Sequence, residues 1–305
     1  MHYFWQKRGL LNWLLMPLAA LYFLGHLFNY YILQRPRRVN AVVLCIGNAT
    51  VGGGGKTPLC LFWAQMLQAN GRRVAFISRG YGGKLSSWRR VVKVDPALHS
   101  SIEVGDEPLL LAACAPTYIS KNRYAAAQMA VQDGAQTIIM DDGLQNNTLY
   151  KDAKILVIDG GETSLGNQLL LPAGALREPL WLCRRKVDFA VLLNCSDKLP
   201  FELAQIHAKT QVIDASKWQG KKYIAMCGIA RPEKFWHSLA AVGVEVVDKF
   251  IFADHHHFQL AELDEIITLS KKHKCRIVTT AKDYVRLPTE IRPHFDVLEI
   301  EVVLI

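Results

Sequence analysis

Residues 41–58 read AVVLCIGNATVGGGGKTP, and the four consecutive glycines Gly52–Gly55, running straight into Lys56 and Thr57, constrain this chain more than anything else in it. Ordering glycines costs backbone entropy, so the position must need bare backbone. The need such a run meets is an anion. A Gly-rich turn between a strand and a helix lets several N–H groups converge on a phosphate at the helix N-terminus. A lysine there reaches the outer phosphates, and the hydroxyl after it can ligate Mg²⁺. Val42 to Ile46 form an apolar run suited to a buried strand, and after Pro58 the stretch LCLFWAQMLQAN reads as a helix. The order predicts a P-loop whose nucleotide contacts are Thr50, Val51, Gly52, Gly53, Gly54, Gly55, Lys56 and Thr57. The G-x-x-x-x-G-K-[ST] spacing would put a glycine where this chain has Thr50. The bland alternative is a flexible surface loop.

Beyond that helix, strand and helix patterns alternate. RRVAFISRGYGG is a strand ending in a basic, glycine-rich turn; WRRVVKVD is an edge strand; VGDEPLLLAACA opens a helix with two acids, which suits the helix dipole. TIIMDDGLQ is an apolar strand ending in Asp141 and Asp142, and ILVID and FAVLLN follow as strands. The alternation predicts a doubly wound, mainly parallel α/β sheet. Near residue 217 the pattern restarts with KKYIAMCGI, and FDVLEIEVVL closes it. This predicts an N-terminal segment over 1–38, a P-loop domain over 39–216 and a smaller α/β unit over 217–305, joined through WQGKK.

The net charge of +9 is uneven: thirteen of the 36 Lys and Arg precede Asp95, the first acid, and the other 23 face all 27 acids. The N-terminal third therefore suits an anionic partner such as a nucleotide or lipid headgroups. No helix-turn-helix, zinc-finger or RNP pattern supports nucleic acid. Seven scattered cysteines without a C-x-x-C fit a reduced compartment with neither disulfide framework nor zinc site. Gly9 to Gln34 carry no Lys, Arg, Asp or Glu, with Lys7 and Arg8 before them and Arg35, Arg37 and Arg38 after. The length suffices to cross a bilayer. Asn12, Pro17, His26 and Asn29 dilute it, and its aromatics with flanking cations also describe a segment lying in the headgroup zone. Interfacial anchor, span and buried core helix all remain open from the sequence.

Among the chemical constellations, Asp141-Asp142 at a strand's C-terminal end is where a P-loop enzyme holds Mg²⁺; as a lone motif it is also ordinary turn chemistry. Asp106 and Glu107 could be an N-cap pair. Three consecutive histidines in DHHHF cannot converge on one ion, so a single one acting as a base partner or phosphate contact is the better reading. Arg177 in LPAGALREP and Arg79 in SRGYGG each read as a turn residue or an anion clamp. TTAKD matches the guanine motif of GTPases poorly.

Taken together, GNATVGGGGKTP, SRGYGG, VGDEPLLLA, MDDGLQNNTLYKD, LLLPAGALREPL, CGIARPEKF, FADHH and TTAKDYVRL, in order from residue 47 to residue 287, resemble the tetraacyldisaccharide 4′-kinase family of lipid A biosynthesis. The family's DDGFQH is here DDGLQN, with Leu144 and Asn146, and its TTEKD carries Ala281. The resemblance implies a P-loop kinase that moves the ATP γ-phosphoryl to the 4′-hydroxyl of a lipid A disaccharide 1-phosphate, forming lipid IVA, at the cytoplasmic face of a bacterial inner membrane. It implies Lys56 and Thr57 on the phosphates and Mg²⁺, and Asp141, Asp142 and Glu178 around the metal. It makes Asp106 the base, paired with His255, and puts Arg79, Tyr81, Glu107, Arg123, Gln145 and Arg177 on the substrate side. Two other readings stand beside it: a soluble P-loop small-molecule kinase of the dethiobiotin-synthetase kind, and a non-catalytic nucleotide-binding regulator at a membrane. The uncharged N-terminal stretch argues against the first. Asp106 argues against the second, since a sensor needs no acceptor-side base.

Overall fold

The apolar run before the glycines is strand β1 (Val42–Gly47), and it lies at the centre of a nine-stranded sheet. A computed structural model describes residues 3–52, 54–160, 162–195, 199 and 202–305 of the chain. The strands of this sheet follow in chain order as β2 (Val74–Ser78), β3 (Val92–Lys93), β4 (Thr117–Ile119), β5 (Thr137–Asp141), β6 (Ala153–Asp159), β7 (Phe189–Leu193) and β8 (Gln205–Val212). A second, four-stranded parallel sheet contains β9 (Lys222–Cys227), β10 (Glu245–Ile251), β11 (Arg276–Thr280) and β12 (Phe295–Leu298). Strand β13 (Ile300–Leu304) belongs to the first sheet again, antiparallel to β8 with Val302 opposite Thr210.

The order of the large sheet is β13-β8-β7-β6-β1-β5-β2-β4-β3. From β1 the chain runs to one side through β2 and β4, returns to insert β5 beside β1, and then continues on the other side through β6, β7 and β8. Such a reversal opens a crevice at the carboxyl ends of the strands, where α/β proteins bind ligands. Here those ends carry the glycine loop, Asp141-Asp142 and Asp159.

Alternation along β1 builds two cores. Val43 and Cys45 face the helix Arg123–Gln132 through Ala126, Ala127 and Ala130, while Ile46 faces the helix Lys56–Ala69 through Leu59, Cys60 and Ala64. In the small sheet, Tyr223, Ala225 and Cys227 pack with Phe235 and Leu239 of the helix Pro232–Ala241, and Ile224 and Met226 with the helix Leu260–His273. Trp218, expected in a linker, is 2% exposed and packs its ring 5.4 Å from Tyr223. The unit expected over 217–305 also gives up its last strand to the large sheet, so the chain sews the two sheets together at its end.

The N-terminal segment folds as the helices Leu10–Leu14 and Met16–Leu27, continued by a π-helical turn Phe28–Leu33. Several of its polar groups face the protein. Asn12 is 1% exposed and donates to the carbonyls of Phe4 (2.8 Å) and Ala173 (2.8 Å). Trp5 Nε1 donates to Pro172 O (2.9 Å), and Tyr22 OH to Arg177 O (2.9 Å). The outward face is apolar, with Leu10, Leu14, Leu18, Leu21, Leu24, Phe28 and Ile32 all exposed.

The segment that receives these bonds also braces the glycine loop. Val51 N donates to Ala175 O (2.9 Å) and Arg177 N to Ala49 O (2.8 Å). Thr50, in the place a glycine would take, bridges antiparallel to Leu176. A β-bridge needs no positive φ, so a threonine serves. Gly174 makes this close approach possible: a Cβ there would collide with Asn167 Oδ1 and with the backbone carbonyl of Leu169. Gly174→Ala is therefore expected to destabilise the protein by about 1–3 kcal/mol, read as a lower denaturant midpoint, with ATP affinity falling because the brace shifts.

Candidate active site

The glycine loop ends in a left-handed residue, Gly55 (φ 69°), directly before the helix that starts at Lys56. A Cβ on Gly55 would sit 2.5 Å from Leu193 Cδ2, and one on Gly54 would sit 2.5 Å from Asn48 Nδ2. Bare backbone is needed at both. Gly52 also has positive φ (104°); Gly53 lies outside the described residues. Lys56 Nζ is held by Asn48 Oδ1 (3.2 Å) and lies 3.7 Å from Asp142. Thr57 is buried behind it.

Asp141 ends β5, and Asp142 follows in left-handed backbone (φ 52°). Arg177 Nη1 donates to both Asp142 oxygens (2.8 and 2.9 Å). Partial burial pushes the Asp142 carboxyl up, but Lys56 and Arg177 outweigh it and hold it down at about 2. Asp141 behaves oppositely. Burial, together with the nearby charges of Glu107 and Asp142, pushes it up to about 7. Among the described residues, the one side chain that donates to its carboxylate is Cys60 Sγ, 3.8 Å away. A divalent cation beside Asp141 would relieve this repulsion, so the residues fit Mg²⁺. Among the described residues no group of three or more His, Cys, Asp or Glu could hold a metal. That suits an ion taking one or two carboxylates plus phosphate oxygens.

Glu178, expected among the metal ligands, is engaged elsewhere. It is fully buried, with Oε1 taken by Gln145 Nε2 (2.9 Å) and Oε2 by Lys186 Nζ (2.6 Å). His26 of the N-terminal helix approaches to 3.7 Å. Glu178 thus ties that helix to the loop that carries Arg177. Gln145 also donates to Asn48 O (3.2 Å), under the glycine loop. Arg123 is buried at the start of its helix, its Nε without a partner among the described residues, and the charges of Asp141, Asp142 and Arg79 act on it.

On the other side of the crevice, Asp106 and Glu107 open the helix Asp106–Ala112. His255, in left-handed backbone (φ 60°), places Nδ1 2.8 Å from Asp106 Oδ2. Tyr81 is exposed, its ring 6.2 Å from that of His255, and Glu107 accepts from Lys282 Nζ (2.6 Å). Burial pushes the Asp106 carboxyl up, but the His255 hydrogen bond and the Arg286 charge override it and hold it at about 2. His255 is raised, chiefly by its hydrogen bond to Asp106. Sequence reasoning missed Lys282 and Arg286. Both lie in the quoted TTAKDYVRL stretch, whose basic residues were the available signal.

Of the other features, Leu144 in the place of the family's aromatic is buried against Gly47 at the end of β1. Asn146 closes its own turn, accepting from Thr148 N (3.1 Å) and Oγ1 (2.8 Å).

The family model for tetraacyldisaccharide-1-P 4′-kinase matches residues 11–304. The tetraacyldisaccharide 4′-kinase of Methylorubrum extorquens strain PA1 is 41% identical over 85% of this chain and 80% of its own length. That of Rhodospirillum rubrum is 39% identical over 98% and 92%. The crystal structure of LpxK from Aquifex aeolicus in complex with ATP superposes with a TM-score of 0.79 at 25% identity, covering 97% of this chain and 96% of that one.

Replacing Lys56 tests the glycine loop directly. Lys56→Ala removes a cation from the phosphate position without touching the cores. Turnover is expected to fall by at least about 10²-fold, the scale of one lost transition-state contact, with the melting temperature unchanged; activity within tenfold of wild type overturns the P-loop assignment.

Proposed function

The chain belongs to the tetraacyldisaccharide-1-P 4′-kinase family, and we propose a division of labour among its residues for the transfer of the ATP γ-phosphoryl group to the 4′-hydroxyl of tetraacyldisaccharide 1-phosphate. The observation that carries the proposal is the Asp106–His255 pair, 2.8 Å apart, facing across the crevice from the glycine loop. Lys56 Nζ and the backbone N–H groups of the glycine loop bind the ATP phosphates, that of Val51 excepted because it donates to Ala175 O. Thr57 and Asp141, with Asp142 alongside, would hold Mg²⁺, which when bound neutralises charge on the transferring phosphate. Arg177 and Arg123 add fixed positive charge for the phosphates of either substrate.

Phosphoryl transfer is mostly positioning and charge neutralisation, and what it demands on the acceptor side is a place for the hydroxyl proton. Asp106 stays ionised throughout the neutral range, and its proximity to His255 lets the pair take up that proton as a unit. Arg79, Tyr81 and Glu107 line the acceptor side. Asp106→Ala is expected to lose about 10²-fold or more in kcat with little change in the KM for ATP. His255→Ala loses less. An Asp106→Ala enzyme with near-normal kcat moves the base elsewhere. The sign of the pH effect follows from the raised value of His255: below it the imidazolium persists and the pair cannot take another proton. The acidic limb of kcat is therefore expected above the ordinary histidine value of about 6.5. His255→Ala flattens it.

The apolar outer face of the N-terminal helices supports a membrane surface as the place of action, the cytoplasmic face of the bacterial inner membrane. Arg35, Arg184 and Arg185 are exposed, the last two on the helix Leu180–Lys186, whose Trp181 stacks edge-on 6.4 Å from Phe23. Cations beside an apolar face suit anionic headgroups. Residues Met16–Leu33 are long and apolar enough to cross a bilayer, yet their polar side is engaged by the protein, which favours a helix lying in the interface. Changing the exposed Leu14, Leu21 and Leu24 together to Ser is expected to abolish flotation with anionic vesicles. It should raise the KM for the lipid while leaving that for ATP alone. Unchanged flotation removes the interfacial reading.

A further inference from the structure

The Asp106–His255 pair is built across the two sheets, and Arg286 of the small unit joins it. Arg286 lies just past β11, its side chain 1% exposed. It points Nε (2.9 Å) and Nη2 (2.6 Å) at Oδ2 of Asp106. Nη1 donates to Gly228 O at the end of β9 (2.9 Å) and to Asp283 Oδ1 (3.0 Å). Asp283 is itself fixed, accepting from Gly228 N (3.0 Å) and from Thr280 Oγ1 (2.6 Å). The guanidinium is thus locked by the small sheet before it reaches Asp106 on the large one.

Arg286 converges with His255 on the same carboxylate oxygen: Oδ2 receives three donors, and among the described residues none donates to Oδ1. Such loading fixes the rotation of the carboxylate and reserves Oδ1 for a hydroxyl. We propose that Arg286 is a positioning residue for phosphoryl transfer, orienting Asp106 so that Oδ1 faces the acceptor hydroxyl. This rests on the reading of Asp106 as part of the proton-accepting pair. It also makes the docking of the small sheet a condition for a correctly aimed base, because His255 and Arg286 both come from that unit.

The other charges around the pair are Glu107 on the same helix, Asp254 beside His255, Lys282 and Asp283 from the turn after β11, Asp141 from β5, and the Tyr81 hydroxyl. Arg286 is the cation in direct contact with Asp106. Taking its charge away makes protonation of the pair easier, so the acidic limb of kcat should move to higher pH.

The test uses the full chain in mixed micelles with ATP and tetraacyldisaccharide 1-phosphate, rates being normalised to the ATP-binding fraction. Arg286→Gln is expected to lose at least about tenfold in kcat, as expected for a misaimed group, with the KM for ATP unchanged and the acidic limb shifted upward. Arg286→Lys restores the charge but not the fork: the limb returns toward wild type while kcat stays depressed. A purely structural arginine would leave kcat of the folded, ATP-binding enzyme unchanged in both variants, and that result overturns the proposal. Should Arg286→Gln not fold, Arg286→Lys decides, since kcat within twofold of wild type overturns it and a drop of about fivefold or more at unchanged ATP KM supports it. Asp106→Ala run alongside separates the two levels. If it keeps its kcat, the reading of Asp106 fails; if it loses kcat while the Arg286 variants do not, only the positioning role fails.

Discussion

Like charges cannot be gathered in a crevice without counter-charges, and much of this fold follows from supplying them. Six carboxylates surround the glycine loop, and five have an assigned cation. Asp106 has Arg286, Glu107 has Lys282, Asp142 has Arg177 and Lys56, Asp159 has Lys234, and Glu178 has Lys186. The cations come from five separate segments, so the electrostatic requirement of the site doubles as a tertiary constraint. Asp141 is the exception: no cation contacts it among the described residues, and its carboxyl is the one pushed up to about 7. The unmatched position lies where a divalent ion brought with a nucleotide would balance the account.

The same logic explains the chain's topology. The large sheet provides the glycine loop and both central acids, but among the described residues it supplies no cation for Asp106 or Glu107. Those partners lie at the carboxyl ends of the small sheet's strands, in FADHH and TTAKDYVRL. Two parallel sheets joined only by a linker could swing apart. Strand β13, antiparallel to β8, limits this by anchoring the end of the small unit to the edge of the large sheet. The Arg231 donor to Asp159 O (2.9 Å) adds a second tie close to Gly55. The crevice is thus pinned on both sides of the site whose geometry depends on it.

How much of this was legible in the sequence depended on whether the signal was local. The glycine run, the period-2 apolar strands and the acids at strand ends are short-range patterns. They located β1, β5, Lys56 and Asp141-Asp142 in the P-loop sheet. Trp218 was misread because QGKK beside it carries linker composition, whereas its own burial is decided by Tyr223 and the packing of a distant helix. FDVLEIEVVL looked like one closing strand; Glu299 separates two that belong to different sheets, and no periodicity records which sheet a strand joins. Glu178 was assigned to the metal by resemblance. Its capture by Lys186 and Gln145 depends on contacts that only the folded loop creates. Arg286 was hidden for the same reason, 180 residues from the acid it holds.

The N-terminal helices show how composition can mislead about orientation. Asn12 and His26 are among the residues that dilute the apolar segment in the sequence, as if weakening its affinity for lipid. In the fold these are the residues turned inward. Asn12 is satisfied by two carbonyls, Tyr22 by Arg177 O, and Tyr30 lies under the Lys186 ammonium at 3.5 Å. The helix is amphipathic with its polar stripe against the protein and its apolar stripe toward the outside, the reverse of a surface helix on a soluble domain. A spanning helix in lipid would have to bury or discard that polar stripe. One lying along the interface keeps it, because the protein itself is the polar solvent. The stripe contacts Arg177 and Glu178, the neighbours of Asp142 and Gln145, so the helices with the apolar outer face and the loop that carries Arg177 are one connected structure. Should these helices dock on a lipid surface, the contacts that seat them would also set the aim of Arg177 at Asp142.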